Sequence, residues 1–244
     1  MPTPTKTKAL LTDVTQFAED LFRLDFEVDR KHTRFKPGQF LHLTLEEFDP
    51  TQAYWPESRV FSICSAPKSD TISVIYSVKG AYTTRMQDEL SEGNEYWLKL
   101  PYGDFIIEQL VPEGDTAVLI AGGTGISPYV SYLEQGLAQG AGRQMYLAYA
   151  VRSPERLAFP DLLRRVRDTG AITQRVWSET DGADNALVTD HGLLDLDAVV
   201  ADVKELPTPH YLLSGPPGML DAFSSRLKTD HGVDERFIHI DEWE

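Results

Sequence analysis

Up to about residue 110 the chain is written in short runs that alternate apolar and polar positions: Leu41-His-Leu-Thr-Leu45, Ile72-Ser-Val-Ile-Tyr-Ser-Val78 and Tyr96-Trp-Leu-Lys-Leu100. Period-two alternation with β-branched and aromatic residues marks half-buried strands. Turn signals separate the runs at Lys36-Pro-Gly38, Ser91-Glu-Gly-Asn94 and Pro101-Tyr-Gly103. Many short strands and one short helix, predicted over Thr83–Leu90, imply an antiparallel barrel or sandwich. After residue 112 the texture changes. Thr116-Ala-Val-Leu-Ile-Ala121 is a nearly all-apolar strand, followed by Gly122-Gly-Thr-Gly125 and a helical pattern over Ser127–Gln139. Strands predicted over Gln144–Ala150, Ile172–Trp177, His210–Leu213 and Phe237–Ile240 alternate with helices over Phe159–Asp168, Leu193–Val203 and Met219–Thr229. That alternation predicts a parallel sheet covered on both faces. The expected fold class is α+β with two domains, an antiparallel β-barrel over 1–111 and an α/β parallel-sheet domain over 112–244. Val111-Pro-Glu-Gly114 is the expected joint.

Composition narrows the function classes. Hydrophobic residues make up 41% and charged residues 25%, ordinary globular usage. The net charge of -15 offers no basic surface for nucleic acid. The single cysteine, Cys64, cannot make an internal disulfide, a four-cysteine zinc site or an ordinary iron–sulfur cluster, and no metal site is expected. Met1–Lys8 lacks the apolar core of a signal peptide, and no apolar stretch is long enough to cross a bilayer. A cytoplasmic location without a membrane partner is expected.

Four segments carry candidate chemistry. In Ala117–Pro128 a buried strand runs into a glycine-rich turn and a helix, where backbone amides and the positive end of the helix dipole can receive a phosphate. It is neither a strict G-x-G-x-x-G nor a Walker A motif, and the same segment can be a plain tight turn. Tyr211-Leu-Leu-Ser-Gly-Pro-Pro-Gly-Met219 repeats the strand–loop–helix arrangement, with two prolines stiffening the loop; its bland alternative is a helix start with proline in the first turn. Arg59-Val-Phe-Ser62 puts Arg59 and Phe61 on one face of a strand and Ser62 on the other, or it is an ordinary edge strand. In Val78–Arg85 a glycine turn leads into a helix whose expected N-cap is Thr83 or Thr84, with amides free for an anion or simply capped.

In this order and spacing the four segments resemble the ferredoxin–NAD(P) reductase family, from about Lys36-Pro-Gly-Gln-Phe40 to the terminus. The resemblance implies a flavin-binding barrel followed by an NAD(P)-binding α/β domain. It implies that Arg59 pairs with flavin phosphate, that Phe61, in place of the family's Tyr, packs on the isoalloxazine, and that Ser62 sits near its N5. Val60 belongs to the same motif. Tyr76, Ser77 and Val78 match a cofactor-lining strand, Gly80, Thr83 and Thr84 a phosphate-binding helix start, and Pro101–Phe105 the turn that closes the barrel. Gly122, Gly123, Gly125 and Pro128 match the loop that receives the dinucleotide pyrophosphate, with Thr124 close to the flavin. Ser214-Gly215-Pro216-Pro-Gly-Met219 matches a loop usually written Cys-Gly-Pro-Pro-x-Met, with Ser214 in place of the cysteine near the nicotinamide. Glu242 and Trp243 fall where relatives carry a polar neighbour and a terminal aromatic beside the flavin. The implied catalytic set is Ser62, Phe61, Ser214 and Glu242.

The implied activity is hydride transfer between NAD(P)H and FAD, then single electrons to a ferredoxin, a flavodoxin or an oxygenase component; FMN is the less favoured flavin. Alternatives are a reductase of free flavin and an electron-transfer subunit of a larger complex. For the nucleotide, Ser178 and Glu179 after the third strand favour NADH, because a carboxylate repels a 2′-phosphate. Arg152 and Arg175 are the nearby groups that would favour NADPH.

Overall fold

The computed structural model describes residues 3–29, 31, 34–51, 54–139, 144–170, 172–182 and 185–241. The first half holds β1 (Thr5–Ala18), β2 (Leu21–Glu27), β3 (Phe40–Thr44), β4 (Arg59–Ser62), β5 (Thr71–Ser77), α1 (Ala81–Glu89), β6 (Glu95–Tyr102) and the short α2 (Ile107–Leu110). The strands form one antiparallel sheet in the order β4-β3-β6-β1-β2-β5. Its edges meet where the Cys64 amide, just past β4, donates to the Ser73 carbonyl of β5 at 2.7 Å, so the barrel is nearly closed. Leu11, Leu24, Leu41, Ile72 and Leu98 fill it, and α1 lays Tyr82 and Met86 against that core.

The sequence patterns did not single out β1 and β2. The register of their pairing shifts twice, between Leu11 and Asp13 and between Gln16 and Ala18. Each irregularity interrupts the period-two alternation on which strand reading depends. Pro101 and Tyr102, expected in a closing turn, still belong to β6. The turn begins at Gly103, whose carbonyl accepts from Gln39 Nε2 at 3.0 Å.

The second half continues with β7 (Thr116–Gly122), α3 (Ser127–Gln139), β8 (Met145–Val151), α4 (Pro160–Thr169), β9 (Thr173–Ser178), β10 (Asp190–His191), α5 (Leu196–Val203), β11 (Pro209–Ser214), α6 (Pro217–Thr229) and β12 (Ile238–Ile240). Every pairing is parallel, in the order β10-β9-β8-β7-β11-β12. Alternate residues of β7 serve opposite faces. Ala117, Leu119 and Ala121 pack with α3 and α4, and Val118 and Ile120 pack with α5 and α6. Leu21, Cys64 and Ile75 of the barrel join the first of these cores, which fastens the two halves together. Strand order reverses between β7 and β11. Such a switch point opens a crevice at the carboxyl ends of the strands. Among the described residues no helix is long and apolar enough to cross a membrane.

Candidate functional site

The crevice is a cleft of about 1030 Å³ with walls from both halves. From the barrel come Val60, Phe61 and Ser62 of β4, then Tyr76 and Ser77 of β5 with Val78 and Lys79 beyond it. Phe61 is half-buried against the barrel core, with Tyr76 at 6.3 Å between ring centroids. Burial pushes the Tyr76 hydroxyl up to about 12, so it is neutral. Ser62 Oγ is buried and has no hydrogen-bond partner among the described residues. A buried hydroxyl in that state is costly unless a ligand satisfies it.

Arg59 is not on the cleft wall. Its guanidinium bonds Glu57 and the Ser58 carbonyl, each at 2.9 Å, and lies 4.3 Å over the Tyr82 ring. At the start of α1 the expected caps are corrected. Gly80 is the N-cap, and Thr83, three residues on, reaches back with its Oγ1 to accept from the amides of Lys79 and Gly80 at 2.8 and 3.1 Å. Glycine has no side chain with which to cap, so the threonine in the first turn supplies the oxygen. Thr83 lines the cleft; Gly80 and Thr84 do not.

Across the cleft, Gly122, Gly123, Thr124 and Gly125 face Ser214, Gly215, Pro216 and Met219. The two loops interlock. A Cβ on Gly122 would stand 2.8 Å from the Met219 sulfur, and one on Gly125 would collide with the Ser214 carbonyl. Glycine is therefore required at 125 by the approach of the β11 loop. Pro128 lies buried in the first turn of α3, off the cleft wall. Ser214 is 1% exposed and Asp241, just past β12, is 5% exposed. Ser214 Oγ donates to Asp241 Oδ2 at 3.0 Å. Burial raises the Asp241 carboxyl to about 7, although the serine bond opposes the rise.

Farther along, Arg152 and Glu179 project into the cleft from the ends of β8 and β9. Ser178 does not. Its Oγ turns to the Thr180 carbonyl at 2.8 Å, and the residue is buried. Arg175 is likewise withdrawn, paired with Asp190 and, at 3.0 Å, with Asp202. Glu242 and Trp243 lie outside the described residues.

The helix expected from Leu193 starts at Leu196, because the Asp195 side chain caps it by accepting from the amides of Asp197 and Ala198. Leu193 is left 75% exposed and lines the cleft. The sequence patterns also missed Asp20, Arg156, Arg226 and Asp241. Asp20, in the β1–β2 turn, is bound by the guanidinium of Arg156 beyond β8, one contact being 3.1 Å, and this pair borders the cleft. Arg156 holds the Asp20 carboxyl below its ordinary range. Arg226 lines the far end, bonded to Asp197 at 2.6 Å. No local pattern flags these side chains, since each gains its place from a partner distant in the chain.

A family profile described as "FAD-binding domain" matches residues 6–152, and one described as "Oxidoreductase NAD-binding domain" matches residues 119–225. The chain is 29% identical over 199 residues to a flavohemoprotein of Deinococcus radiodurans, covering 79% of this chain and 48% of that protein. It is 30% identical over 145 residues to the ferredoxin reductase component of a 3-ketosteroid-9-alpha-monooxygenase of Mycobacterium tuberculosis, covering 58% of this chain and 38% of that protein. The chain thus spans about half the length, or less, of these curated relatives. Among solved structures it resembles an Amycolatopsis cytochrome P450 reductase, GcoB (TM-score 0.80, 22% identity, 98% of this chain and 70% of that one). It also resembles a ferredoxin NADP+ reductase of Neisseria gonorrhoeae with bound FAD and NADP (TM-score 0.77, 20% identity, 98% of each chain).

Proposed function

The chain belongs to the ferredoxin–NAD(P) reductase family, and from that premise we propose that it moves electrons between a nicotinamide nucleotide and an FAD held against the barrel, and between that FAD and a separate acceptor. The observation that carries this reading is the shared cleft. Its barrel wall offers aromatic faces and the unpartnered Ser62 hydroxyl, and its other wall is two glycine- and proline-rich loops at a strand-order switch point. The volume stands at the top of the roughly 300–1,000 Å³ usual for small-molecule sites, as two ligands meeting in one cleft require.

The residues present fit a flavin. Phe61 and Tyr76 provide packing surface, Ser62 Oγ supplies a hydrogen bond to a polar ring atom, and the first-turn amides of α1, without intrahelical partners, suit a phosphate. Arg59, one residue from the cleft wall and exposed, exchanges Glu57 for that phosphate. The glycine loop after β7 and the loop from Ser214 to Met219 receive the dinucleotide. Bound FAD supplies the conversion of a two-electron hydride into single electrons. The protein's part is to position the two rings and to keep the cleft narrow. The flavin half is assigned to 1–111 and the nucleotide half to 112–244. The acceptor is a ferredoxin, a flavodoxin or an oxygenase component; relatives include reductase components of such systems.

The test is flavin retention. The protein should elute yellow from gel filtration and bleach anaerobically with NADH. Arg59→Ala should elute with most of its flavin lost and an unchanged circular dichroism spectrum. A colourless wild type that reduces added flavin would assign the chain as a reductase of free flavin instead.

A further inference from the structure

The outer face of the barrel carries an arrangement that the cleft does not use. Val60 of β4, His42 of β3, Lys99 of β6 and Lys6 of β1 are successive cross-strand partners, so their side chains stand in one row on the same face. Val60 lines the cleft. At the usual strand spacing Lys99 lies about 10 Å along the row from it and Lys6 about 14 Å. Lys6 and Lys99 are directly opposite each other, and like charges in that position destabilise a sheet.

Neither ammonium has a carboxylate oxygen within 4.0 Å among the described residues. Lys8, two residues from Lys6, is by contrast bracketed by Glu47 at 3.6 Å and Glu95 at 3.7 Å. Aromatic rings take the place of carboxylates. Lys6 Nζ lies 4.2 Å from the centre of the Phe48 ring and Lys99 Nζ 5.2 Å from that of Tyr102, and both lie 5.9 Å from Trp55. A ring face attracts a cation without cancelling its charge. The row therefore keeps two positive charges on a chain of net charge -15. His42 adds a ring and no charge, because burial and then Lys99 hold it below its ordinary range. Tyr54, next to Trp55, is 70% exposed; it and Leu193 are the large apolar side chains left exposed among the described residues. Leu193 belongs to the cleft, which leaves Tyr54 to be accounted for here. Aromatic rings of this kind are what interfaces use as anchors.

We propose that this row, Lys6 and Lys99 with Trp55 and Tyr54, is the docking surface for an acidic electron-carrier protein, whose carboxylates supply the partners the two lysines lack. The proposal rests on the reading above that the flavin passes electrons to a separate acceptor. Charge complementarity selects the partner. The overall negative field turns an acidic protein away from most of the surface, and the row is a local exception that orients it at encounter. The row ends at Val60, so a carrier seated on it abuts the cleft wall assigned to the flavin. Two lysines facing each other cost stability that one carboxylate in either place would recover; a partner's carboxylates recover it on docking.

The experiment is calorimetric titration of the flavin-loaded protein with an acidic plant-type [2Fe–2S] ferredoxin, from about 20 to about 300 mM salt, and with a basic cytochrome c for comparison. NADH oxidation by ferricyanide, a small acceptor that needs no docking surface, is followed alongside. The wild type should bind the ferredoxin with an affinity that falls as salt rises. Lys99→Glu should weaken that binding by about tenfold or more and flatten its salt dependence, with ferricyanide reduction unchanged. Its unfolding temperature should hold or rise, because the like-charge pair is relieved. Tyr54→Ala should weaken binding and keep the salt dependence. A lower unfolding temperature in Lys99→Glu with unchanged ferredoxin affinity is the signature of a purely structural row and overturns the proposal. So does a wild type that binds cytochrome c and not the ferredoxin, or neither; ferricyanide reduction at the normal rate then leaves the proposed function standing. A protein without flavin that reduces no ferricyanide overturns both. If Lys99→Glu fails to fold, Lys6→Gln decides on the same ferredoxin affinity and salt dependence.

Discussion

Glu179 and Arg152 reach the same cleft from neighbouring strand ends, and under the proposed function a carboxylate and a guanidinium there would act in opposite directions on a 2′-phosphate. The third candidate, Arg175, is removed from the contest by Asp190 and Asp202. A 2′-phosphate carries close to two negative charges, and partly solvated like charges a few ångström apart repel by about 1–4 kcal/mol. The kcat/KM ratio of NADH over NADPH should exceed one in the wild type. It should fall by roughly tenfold or more in Glu179→Arg and rise in Arg152→Ala. At the same scale Asp241 has a stability signature. Its folded-state value is raised from 3.8 to about 7, so the unfolded chain releases this proton first as pH rises. Stability from this group is complete below about pH 4 and is lost as pH climbs through 7. The shift corresponds to about 4 kcal/mol. Asp241→Asn should therefore unfold at higher temperature than the wild type at pH 8, with the gap narrowing below pH 7 and closing near pH 4, as differential scanning calorimetry would reveal.

At the scale of elements, the two cleft loops obey different constraints. Gly125 has no room for a Cβ, because rigid backbone at Ser214 occupies the space, whereas a Cβ on Gly218 in the first turn of α6 meets nothing within 4 Å. Gly125→Ala should cost about 1–3 kcal/mol. Gly218→Ala should stabilise by about 0.5–1 kcal/mol through helix propensity. Urea midpoints would separate the two. A bulky residue at 125 thus perturbs the fold before it tests nucleotide access. Much at this scale was legible along the chain. The helix over Ser127–Gln139 is observed with those bounds, and the expected strands of the parallel sheet shift by a residue, because a buried strand and its glycine turn are written in adjacent residues; the two-residue edge strand β10 is too short to carry a pattern and is not among the expected strands. The helix starts moved where caps intervened: Asp195 and Gly80 stop the elements that apolar spacing alone would place differently.

For the whole molecule, the two halves share one apolar core through Leu21, Cys64 and Ile75, and the Asp20–Arg156 pair closes the joint at the cleft's edge. Asp20 has a depressed carboxyl, with Arg156 as the leading cause. The pair stabilises above the unfolded value near 4 and loses its effect as pH falls below that. Both side chains are partly solvated, so its worth is about 1 kcal/mol. Arg156→Ala should lower the unfolding temperature slightly at pH 7, and by less as pH falls below about 4. It should also raise KM for the nucleotide more than it lowers kcat, because the pair borders the cleft proposed to receive the nucleotide.

Periodicity, turn residues and the order of four short motifs sufficed for the two-part architecture, the family and most of the cleft-lining segments. These are local properties, carried by residues within a dozen positions of one another. Which side chains meet was settled by packing. Ser214 and Asp241 are 27 positions apart and Asp20 and Arg156 are 136 apart. Arg59 turns to Glu57, Ser178 turns inward, and Arg175 is captured by two aspartates, although a linear pattern gives all three the same standing as Ser62 or Glu179. Side-chain direction depends on neighbours that only folding brings within reach, and burial, which raises Asp241 and leaves Ser62 unpartnered, exists only once both walls of the cleft are assembled.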